Sequence, residues 1–283
     1  SEMCIRDRCL YALVSRGGGG FAVKTVLTVA GSDPSGGAGI EADIKTITAH
    51  GLYATSAITA LTVQNTLGVS RVEPVPVDLV AQQIDCVVGD IRPDAVKIGM
   101  LCNAEIVQAV AQALAHGQAE CIVIDPVMIS TSGHRLLDQE AVQWMKRKLF
   151  PMAQLITPNL PEAEALCGMR VRDEAEMERA ARLLSDQTGA AVLLKGGHLA
   201  KTADDLLLQN GEAHWLQGRR VENSNTHGTG CTLSSAIACG LARGQSLVES
   251  ARAAKEYLTN ALRAGLDLGA GNGPLNHMFQ QTS

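Results

Sequence analysis

The fold is decided by the stretch VKTVLTVAGSDPSGGAGIEADIKTITA, residues Val23–Ala49. It begins with a β-branched apolar run, Val23–Ala30, and continues through the glycine-rich segment Gly31–Gly39 into a helical pattern, Ile40–Ala49. A second apolar run, Ala54–Thr62, follows. A strand, a crossover helix and a second strand form a βαβ unit, which places both strands parallel in one sheet. The stretch therefore predicts an α/β protein.

The same alternation of strands and helices continues along the chain. Further strands are predicted at Ala95–Gly99, Cys121–Asp125, Leu155–Thr157 and Ala191–Leu194. Helices are predicted at Val77–Gly89, Ala104–Ala115, Gln139–Leu149, Ala175–Gln187, Thr232–Ala242 and Leu247–Ala264. The dipeptide Asn210-Gly211 suits a tight hairpin turn between Leu206–Leu208 and Ala213–Leu216. We therefore expect a mostly parallel sheet with an antiparallel edge hairpin.

The composition excludes several classes of protein. The 283 residues are 46% hydrophobic and 19% charged, as in globular proteins, so disorder is excluded. The net charge of −5 offers no attraction to nucleic acid or to an anionic membrane, and no apolar run reaches the ~18 to 20 residues that span a bilayer. The eight cysteines are scattered without a C-x-x-C pair, which favours a reducing cytoplasm. Small-molecule partners are therefore expected.

The first 22 residues differ from the rest. They carry interspersed charges and the four-glycine run Gly17–Gly20, and they show no apolar periodicity. We interpret residues 1–22 as a disordered or spurious extension, and residues 23–283 as a single domain.

The loop after the first strand, Gly31–Gly39, is a candidate binding loop. Four of its nine positions are glycine, which lets backbone N–H groups approach a ligand, and the helix start that follows favours an anion or a polar ring. Ligands of parallel sheets bind at the carboxyl ends of the strands, where this loop lies. Gly31 is its first candidate contact with a substrate, and a mobile turn is the alternative.

A second loop, Asn223–Thr232, contains Gly228, Thr229, Gly230 and Cys231 and leads into an apolar helix. The N–H groups of the last three residues are expected to point at one place and form an anion hole. Cys231 lies on the first helical turn, where the helix dipole stabilises a thiolate. This predicts a base beside a phosphoryl group in transfer. A small buried cysteine after a glycine turn is the alternative.

Two further strand ends carry candidate groups for phosphate and metal. Lys195 can neutralise phosphate, or it can be a surface charge at a strand end. Asn159 and Glu162 offer oxygens at the start of a helix that suit hydrated magnesium, and a capping pair is the alternative. Asp125 ends its strand and is expected to order a metal-bound water.

Asp43 and Gln64 are candidates for contact with an organic substrate. Asp43 lies one turn into the first helix, so its carboxylate can turn back toward the crevice, whereas a solvated helix face is the alternative. Gln64 carries an amide that both donates and accepts, as the edge of a heteroaromatic ring requires.

Together these motifs resemble the ribokinase-like superfamily and, within it, the hydroxymethylpyrimidine and phosphomethylpyrimidine kinases of thiamine biosynthesis. The resemblance covers almost everything from Lys24 to about His277. The motifs that carry it are AGSDPSGGAGIEADIKT (Ala30–Thr46), TALTVQNT (Thr59–Thr66), KIGML (Lys97–Leu101), TPNLPEAEAL (Thr157–Leu166), KGGH (Lys195–His198) and NTHGTGCTLSSAIA (Asn225–Ala238).

The resemblance implies a three-layer α/β/α sandwich, a homodimer, and ATP-dependent phosphorylation of a hydroxymethyl group and then of the resulting ester. It implies that the sulfur of Cys231 acts as the base at a position where most related sugar kinases carry aspartate. It places Asp43 and Gln64 in contact with the aminopyrimidine, Met100 and Val127 on its ring, and Gly228, Thr229 and Gly230, with Cys231, in the anion hole. From the residues themselves we also expect Gly31 at the pyrimidine, Lys195 at the transferred phosphoryl group, Asn159, Lys195 and Thr226 at the nucleotide, and Glu162 and Asp125 at Mg²⁺.

Two alternatives are kept. A pyridoxine or pyridoxal kinase would share the anion hole and the cysteine and would differ around Asp43, Gln64 and Val127. A non-catalytic sensor would bind the pyrimidine without transfer, and the presence of Lys195, Glu162 and the anion-hole sequence argues against it.

Overall fold

The computed structural model describes residues 23–128, 136–198, 203–218, 221, 223 and 225–281. Its strands are β1 (Thr25–Ala30), β2 (Tyr53–Ile58), β3 (Ala60–Asn65), β4 (Gly68–Pro74), β5 (Ala95–Ile98), β6 (Ile122–Ile124), β7 (Leu155–Ile156), β8 (Ala191–Leu194), β9 (Asp205–Gln209) and β10 (Glu212–Leu216). Its α-helices are α1 (Gly39–Ala49), α2 (Val77–Asp90), α3 (Ala104–His116), α4 (Gln139–Trp144), α5 (Leu160–Cys167), α6 (Glu174–Thr188), α7 (Thr229–Ala242) and α8 (Leu247–Ala264).

Eight strands form the central sheet in the order β10-β9-β8-β7-β6-β5-β1-β2. The strands from β2 to β8 in this order pair in parallel, and β9 and β10 add an antiparallel edge. Asn210 and Gly211 have φ of 51° and 80°, so both central positions of the predicted turn are left-handed. The predicted parallel sheet and its edge hairpin are confirmed.

Side chains of the sheet alternate between two cores. On β1, Leu27 and Val29 face one core, which contains α2 to α6, whereas Val26 faces the other core, which contains α7 and α8. β6 alternates in the same way, with Ile122 and Ile124 on the first side and Val123 on the second. Helices therefore cover both faces of the sheet, which confirms the three-layer α/β/α sandwich.

The predicted single strand Ala54–Thr62 is wrong, because the chain leaves the sheet at Thr59. The backbone N–H of Thr59 donates to the carbonyl of Ala30 at 2.9 Å, and its hydroxyl donates to the carbonyl of Met100 at 2.7 Å. β3 then pairs with β4 in a separate two-stranded hairpin. A run of apolar residues does not indicate where a chain leaves one sheet for another, and the polar sequence of β4 gave no strand signal.

Helix α7 begins three residues before the predicted start, at Thr229, and Thr232–Ala242 is buried throughout. Its small residues, glycine, alanine, serine and cysteine, let it pack closely against β1, β5, β6 and α1. This packing fixes the N-terminus of α7 beside the carboxyl ends of the central strands.

The predicted extension, residues 1–22, lies outside the described residues. Within the described part of the chain, no helix combines the length and apolarity that crossing a membrane requires.

Candidate active site

A cavity of about 730 Å³ lies at the carboxyl ends of the parallel strands. Five strands each deliver a residue to its wall: Gly31 after β1, Met100 after β5, Asp125 after β6, Asn159 after β7 and Lys195 after β8. The start of α7 completes the wall. The cavity therefore occupies the place where ligands of parallel α/β sheets bind.

All of the predicted site residues except Asp43 line this cavity. They are Gly31, Gln64, Met100, Asp125, Val127, Asn159, Glu162, Lys195, Thr226, Gly228, Thr229, Gly230 and Cys231. Their placement is consistent with one shared site, and the contact predicted for each with a ligand stays a prediction.

The predicted contact between Asp43 and a substrate ring is not supported by the structure. The Asp43 side chain is fully buried, and both carboxylate oxygens accept from the ammonium of Lys97, at 2.8 and 2.7 Å. Thr28 donates to one oxygen at 2.6 Å and Ser235 donates to the other at 2.8 Å. The Asp43 side chain therefore lies beneath the cavity, where its partners are other protein groups. It is neither on a solvated helix face nor on the side that faces a ligand.

Lys97 is the residue that sequence reasoning missed here. Its side chain is fully buried in β5, where every residue is buried. Burial acts to lower the pKa of Lys97, but the attraction of Asp43 outweighs it and raises the pKa. A lysine within an apolar strand needs a carboxylate partner, so the position of Lys97 in β5 could have indicated a pair such as Lys97–Asp43.

Asp33 organises the first glycine loop. One oxygen accepts from the backbone N–H of Ser35 at 2.9 Å, and the other accepts from Gly37 at 3.1 Å and Ala38 at 2.8 Å. Burial acts to raise the pKa of Asp33, but hydrogen bonds from His227, Ser35 and Ala38 outweigh it and lower the pKa to about 2. The loop is therefore built around a permanently ionised carboxylate.

His227 connects this loop to Gln64. Its Nε2 lies 2.7 Å from Asp33 Oδ2 and 3.0 Å from the Gln64 amide nitrogen. Since Asp33 is ionised, Nε2 carries the proton that bonds to it and cannot also accept from Gln64. The Gln64 amide therefore either presents its oxygen to this N–H or turns to a ligand in the cavity. His227 lies in the motif Asn225–Ala238, but no role was predicted for it from the sequence.

The two glycine loops touch each other. Gly228 caps α7 with a φ of 82°, and a Cβ there would collide with the carbonyl oxygen of Gly37. A Cβ on Gly37 would in turn collide with the ring of His227. Both positions therefore require glycine for close approach, and Gly228 requires it for its left-handed backbone as well.

Of the three N–H groups predicted to form an anion hole, that of Thr229 already has a backbone partner. The N–H of Thr229 lies 3.4 Å from the carbonyl of Thr226, which makes it a weaker donor to a ligand. The N–H groups of Gly230 and Cys231 lie in the first turn of α7, where a helix offers no internal acceptor. These two donors and the positive end of the helix dipole are suited to bind an anion in the cavity.

Cys231 is a thiol at neutral pH, contrary to the predicted thiolate. Burial raises its pKa to about 11; the charges of Asp43 and Asp125 add to this, whereas Lys97 and the N–H of Gly39 act to lower it. The prediction considered the helix dipole alone and left out desolvation, which has the largest effect on the pKa of this thiol.

Beside the start of α7, one ammonium faces two carboxylates: a Cβ on Gly230 would lie 3.1 Å from Lys195 Nζ and 3.0 Å from Asp125 Oδ2. Lys195 Nζ lies 2.7 Å from Asp125 Oδ1 and 4.0 Å from Glu162 Oε2. Glu162 also accepts from the backbone N–H of Asn159 at 2.8 Å, and Asn159 accepts from that of Glu162 at 2.8 Å. The capping box considered as an alternative is thus present, and both of its residues also line the cavity.

Asp125 and Glu162 fit a magnesium ion that is held mainly by water and phosphate. Burial raises the pKa of Glu162 to about 7, aided by the charge of Asp125 and opposed by Lys195. Among the described residues, no group of three or more His, Cys, Asp or Glu side chains is arranged to hold a metal. Mg²⁺ commonly binds through one or two carboxylates together with substrate phosphates, which matches this donor set.

Another part of the wall is apolar. Val221, Leu233, Leu258 and Leu262 line it, the last two from successive turns of α8. Apolar walls with few polar groups suit a planar aromatic base. Sequence reasoning assigned no ligand contact to α8.

The cavity thus brings together the Gln64 amide, a helix start that is suited to an anion, and, beside that helix start, an ammonium with two carboxylates. These are the parts needed to transfer a phosphoryl group to a small ring compound.

Known proteins with similar sequences and structures agree with this chemistry. A sequence model described as phosphomethylpyrimidine kinase matches residues 33–276. The hydroxymethylpyrimidine/phosphomethylpyrimidine kinase of Streptomyces coelicolor is 50% identical over 252 residues, which cover 89% of this chain and 93% of that protein.

Two further proteins are similar to this chain. The thiamine biosynthesis bifunctional protein ThiED of Geobacter sulfurreducens is 49% identical over 260 residues, 92% of this chain but 53% of that protein, so the chain spans about half of its length. The pyridoxal kinase of Bacillus subtilis, solved as an ADP complex, has a TM-score of 0.85 at 33% identity and covers 93% of this chain and 100% of that one.

Proposed function

The chain belongs to the phosphomethylpyrimidine kinase family, and from this we propose that its cavity transfers the γ-phosphoryl group of ATP to hydroxymethylpyrimidine and then to the monophosphate. It is a phosphotransferase of thiamine biosynthesis. The observation that carries the proposal is the position of the anion-binding start of α7, in one cavity with Gln64 and with Lys195.

In the first transfer, the hydroxymethyl oxygen attacks the γ-phosphorus and the bond from that phosphorus to the bridging oxygen of ADP breaks. The N–H groups of Gly230 and Cys231 hold the oxygens of the transferred group, where charge is concentrated. Lys195, whose ammonium lies beside Gly230, neutralises phosphate charge. The proton of the hydroxyl passes to the sulfur of Cys231, which acts as the base in its thiolate form.

Substrate orientation comes from the other end of the cavity. We assign the pyrimidine edge to the Gln64 amide, and its faces to Met100 and Val127, which line the wall. A Cβ on Gly31 would overlap the Met100 side chain, so Gly31 keeps this part of the cavity open. Asn159 and Thr226 line the nucleotide side.

Magnesium is assigned to Asp125 and Glu162. When bound, Mg²⁺ supplies positive charge that offsets the nucleotide phosphates. Both carboxylates lie beside Lys195, so the ion and the ammonium would share the charge of one phosphate chain.

We also propose a homodimer built on the β3–β4 hairpin. Leu61 and Val63 alternate along β3 with the cavity-facing residues Thr62 and Gln64, and their side chains are 55% and 57% exposed. Leu67 at the hairpin turn is 69% exposed. Neighbouring exposed apolar side chains are typical of a covered surface. Light scattering on Leu61→Ser/Val63→Ser, expected to be monomeric beside a dimeric parent, checks this; equal masses for the two proteins would refute the hairpin interface.

The likeness to pyridoxal kinase keeps that activity as a second candidate. The higher identity to hydroxymethylpyrimidine/phosphomethylpyrimidine kinases, 50% against 33%, favours the pyrimidine.

A parallel substrate panel tests the proposal. ATP is supplied with hydroxymethylpyrimidine, its monophosphate or pyridoxal, and the product masses and kcat/KM values are recorded. We expect pyrimidine monophosphate and diphosphate as the main products. A higher kcat/KM with pyridoxal, or consumption of ATP without a phosphorylated product, would contradict the proposal.

A further inference from the structure

The two acceptors make opposite demands on position 231. The hydroxymethyl group must lose a proton when it attacks, so it needs a base. The monophosphate has a second pKa of about 6, so its attacking oxygen is already ionised at neutral pH and it carries nearly two negative charges. A permanent anion at position 231 would help the first acceptor and repel the second.

The charges around Cys231 are already balanced before any substrate binds. Beneath it, Lys97 of β5 donates to Asp43 of α1. Beside Gly230, Lys195 at the end of β8 pairs with Asp125 after β6 and faces Glu162 of α5.

Lys97 and Lys195, the two ammonium groups whose charges act on Cys231, therefore each already have a carboxylate partner. No surplus positive charge among these groups is left to offset both a carboxylate at position 231 and a phosphate on the acceptor.

We propose that the uncharged side chain of Cys231 is the specificity determinant that lets one cavity phosphorylate both the neutral alcohol and its anionic monophosphate. This rests on the proposed function. The sulfur lies in the cavity wall at the first turn of α7, next to the anion-binding N–H groups, so any charge there faces the acceptor. Its resting thiol form is maintained by burial, which raises the pKa of Cys231 to about 11.

The two transfers then differ in how protons move. In the first, the thiol has given its own proton to solvent, the alcohol oxygen bonds to the γ-phosphorus, and the bond from that phosphorus to ADP breaks. The hydroxyl proton passes to the thiolate, which restores the resting thiol. In the second, the ester phosphate oxygen bonds to the γ-phosphorus and ADP leaves without any proton transfer. Cys231 is therefore the base in the first transfer, and in the second it is an uncharged side chain that lines the cavity.

Aspartate and asparagine have nearly the same shape and differ in charge. Comparing Cys231→Asp with Cys231→Asn therefore separates these two roles. For Cys231→Asp we expect kcat/KM for the alcohol to fall less than that for the monophosphate, which should drop by about 10²-fold or more from like-charge repulsion. For Cys231→Asn we expect the reverse order, with the alcohol losing about 10²- to 10⁴-fold and the monophosphate within about 10-fold of the parent.

The parent enzyme is measured first with both acceptors, so that failure of the proposed function shows as absence of either transfer in the parent. Cys239→Ser, at a buried position of the same helix outside the cavity wall, controls for the loss of a thiol from α7. Circular dichroism melting confirms that each variant is folded. A parallel loss of both activities in the Asp and Asn variants would overturn the inference, as would a Cys231→Asp variant that favours the monophosphate.

Discussion

Replacing Lys97 by methionine tests the ion pair under the active site. Methionine keeps the length of the side chain and removes its charge, which leaves Asp43 buried without its cation. We expect Lys97→Met to lower the free energy of unfolding substantially while changing the shape of the core little.

The size of the loss follows from burial and from the remaining donors. Both side chains are fully buried, and removal of one partner from such a pair costs about 3 to 5 kcal/mol. Thr28 and Ser235 continue to donate to Asp43, which places the expected loss near the lower end of that range, about 3 kcal/mol.

Urea denaturation followed by circular dichroism measures this loss. The matched control is Lys24→Met, because Lys24 forms an ion pair with Asp94 that is 47% exposed on the lysine side. Its expected loss is below about 1 kcal/mol. The double variant Lys97→Met/Asp43→Asn removes both charges and should recover most of the stability. A Lys97→Met loss as small as that of the control, or a double variant no more stable than the single one, would refute the reasoning.

Three further predictions follow from the site. Because the pKa of Cys231 is raised to about 11, kcat/KM for hydroxymethylpyrimidine should rise about tenfold per pH unit between pH 7 and 9, and a flat profile would remove the thiolate as base. Burial raises the pKa of Cys231 to about 11 and that of Cys239 to about 12, so the stability gained from their neutral thiols is fully present below pH 9. It should be lost as the pH rises through these two pKa values, which urea midpoints at several pH values would show. Gln64→Ala should weaken pyrimidine binding by about 1 to 3 kcal/mol and leave ATP binding unchanged in calorimetry; equal losses would exclude Gln64 from the ring contact.

Periodicity was sufficient for the sheet but not for the hairpin that borders the site. The run Ala54–Thr62 is apolar and β-branched on both sides of Thr59, so the sequence reads as one strand. The break comes from hydrogen bonds that Thr59 makes to Ala30 and Met100, which are distant in sequence. Tertiary contacts of this kind leave no local pattern.

The candidate site was predicted better in position than in chemical state. Strand ends and glycine loops located most of its proposed residues, because the topology of a parallel sheet brings strand ends together, and the family resemblance added Met100 and Val127. The state of Cys231 was not predictable from the helix start, since the charges of Asp43 and Asp125 and the degree of burial act through space. His227 was overlooked for the same reason, because its partner Asp33 is 194 residues away.

The central claim is that one cavity performs both transfers. Its most direct test is inhibition of the first transfer by the monophosphate, measured in initial rates at several concentrations of hydroxymethylpyrimidine and saturating ATP. Two acceptors that compete for one site inhibit each other competitively, and each has an inhibition constant equal to its own KM as a substrate. We predict competitive inhibition with that equality. Noncompetitive inhibition, with the monophosphate and the alcohol bound at the same time, would contradict a single site.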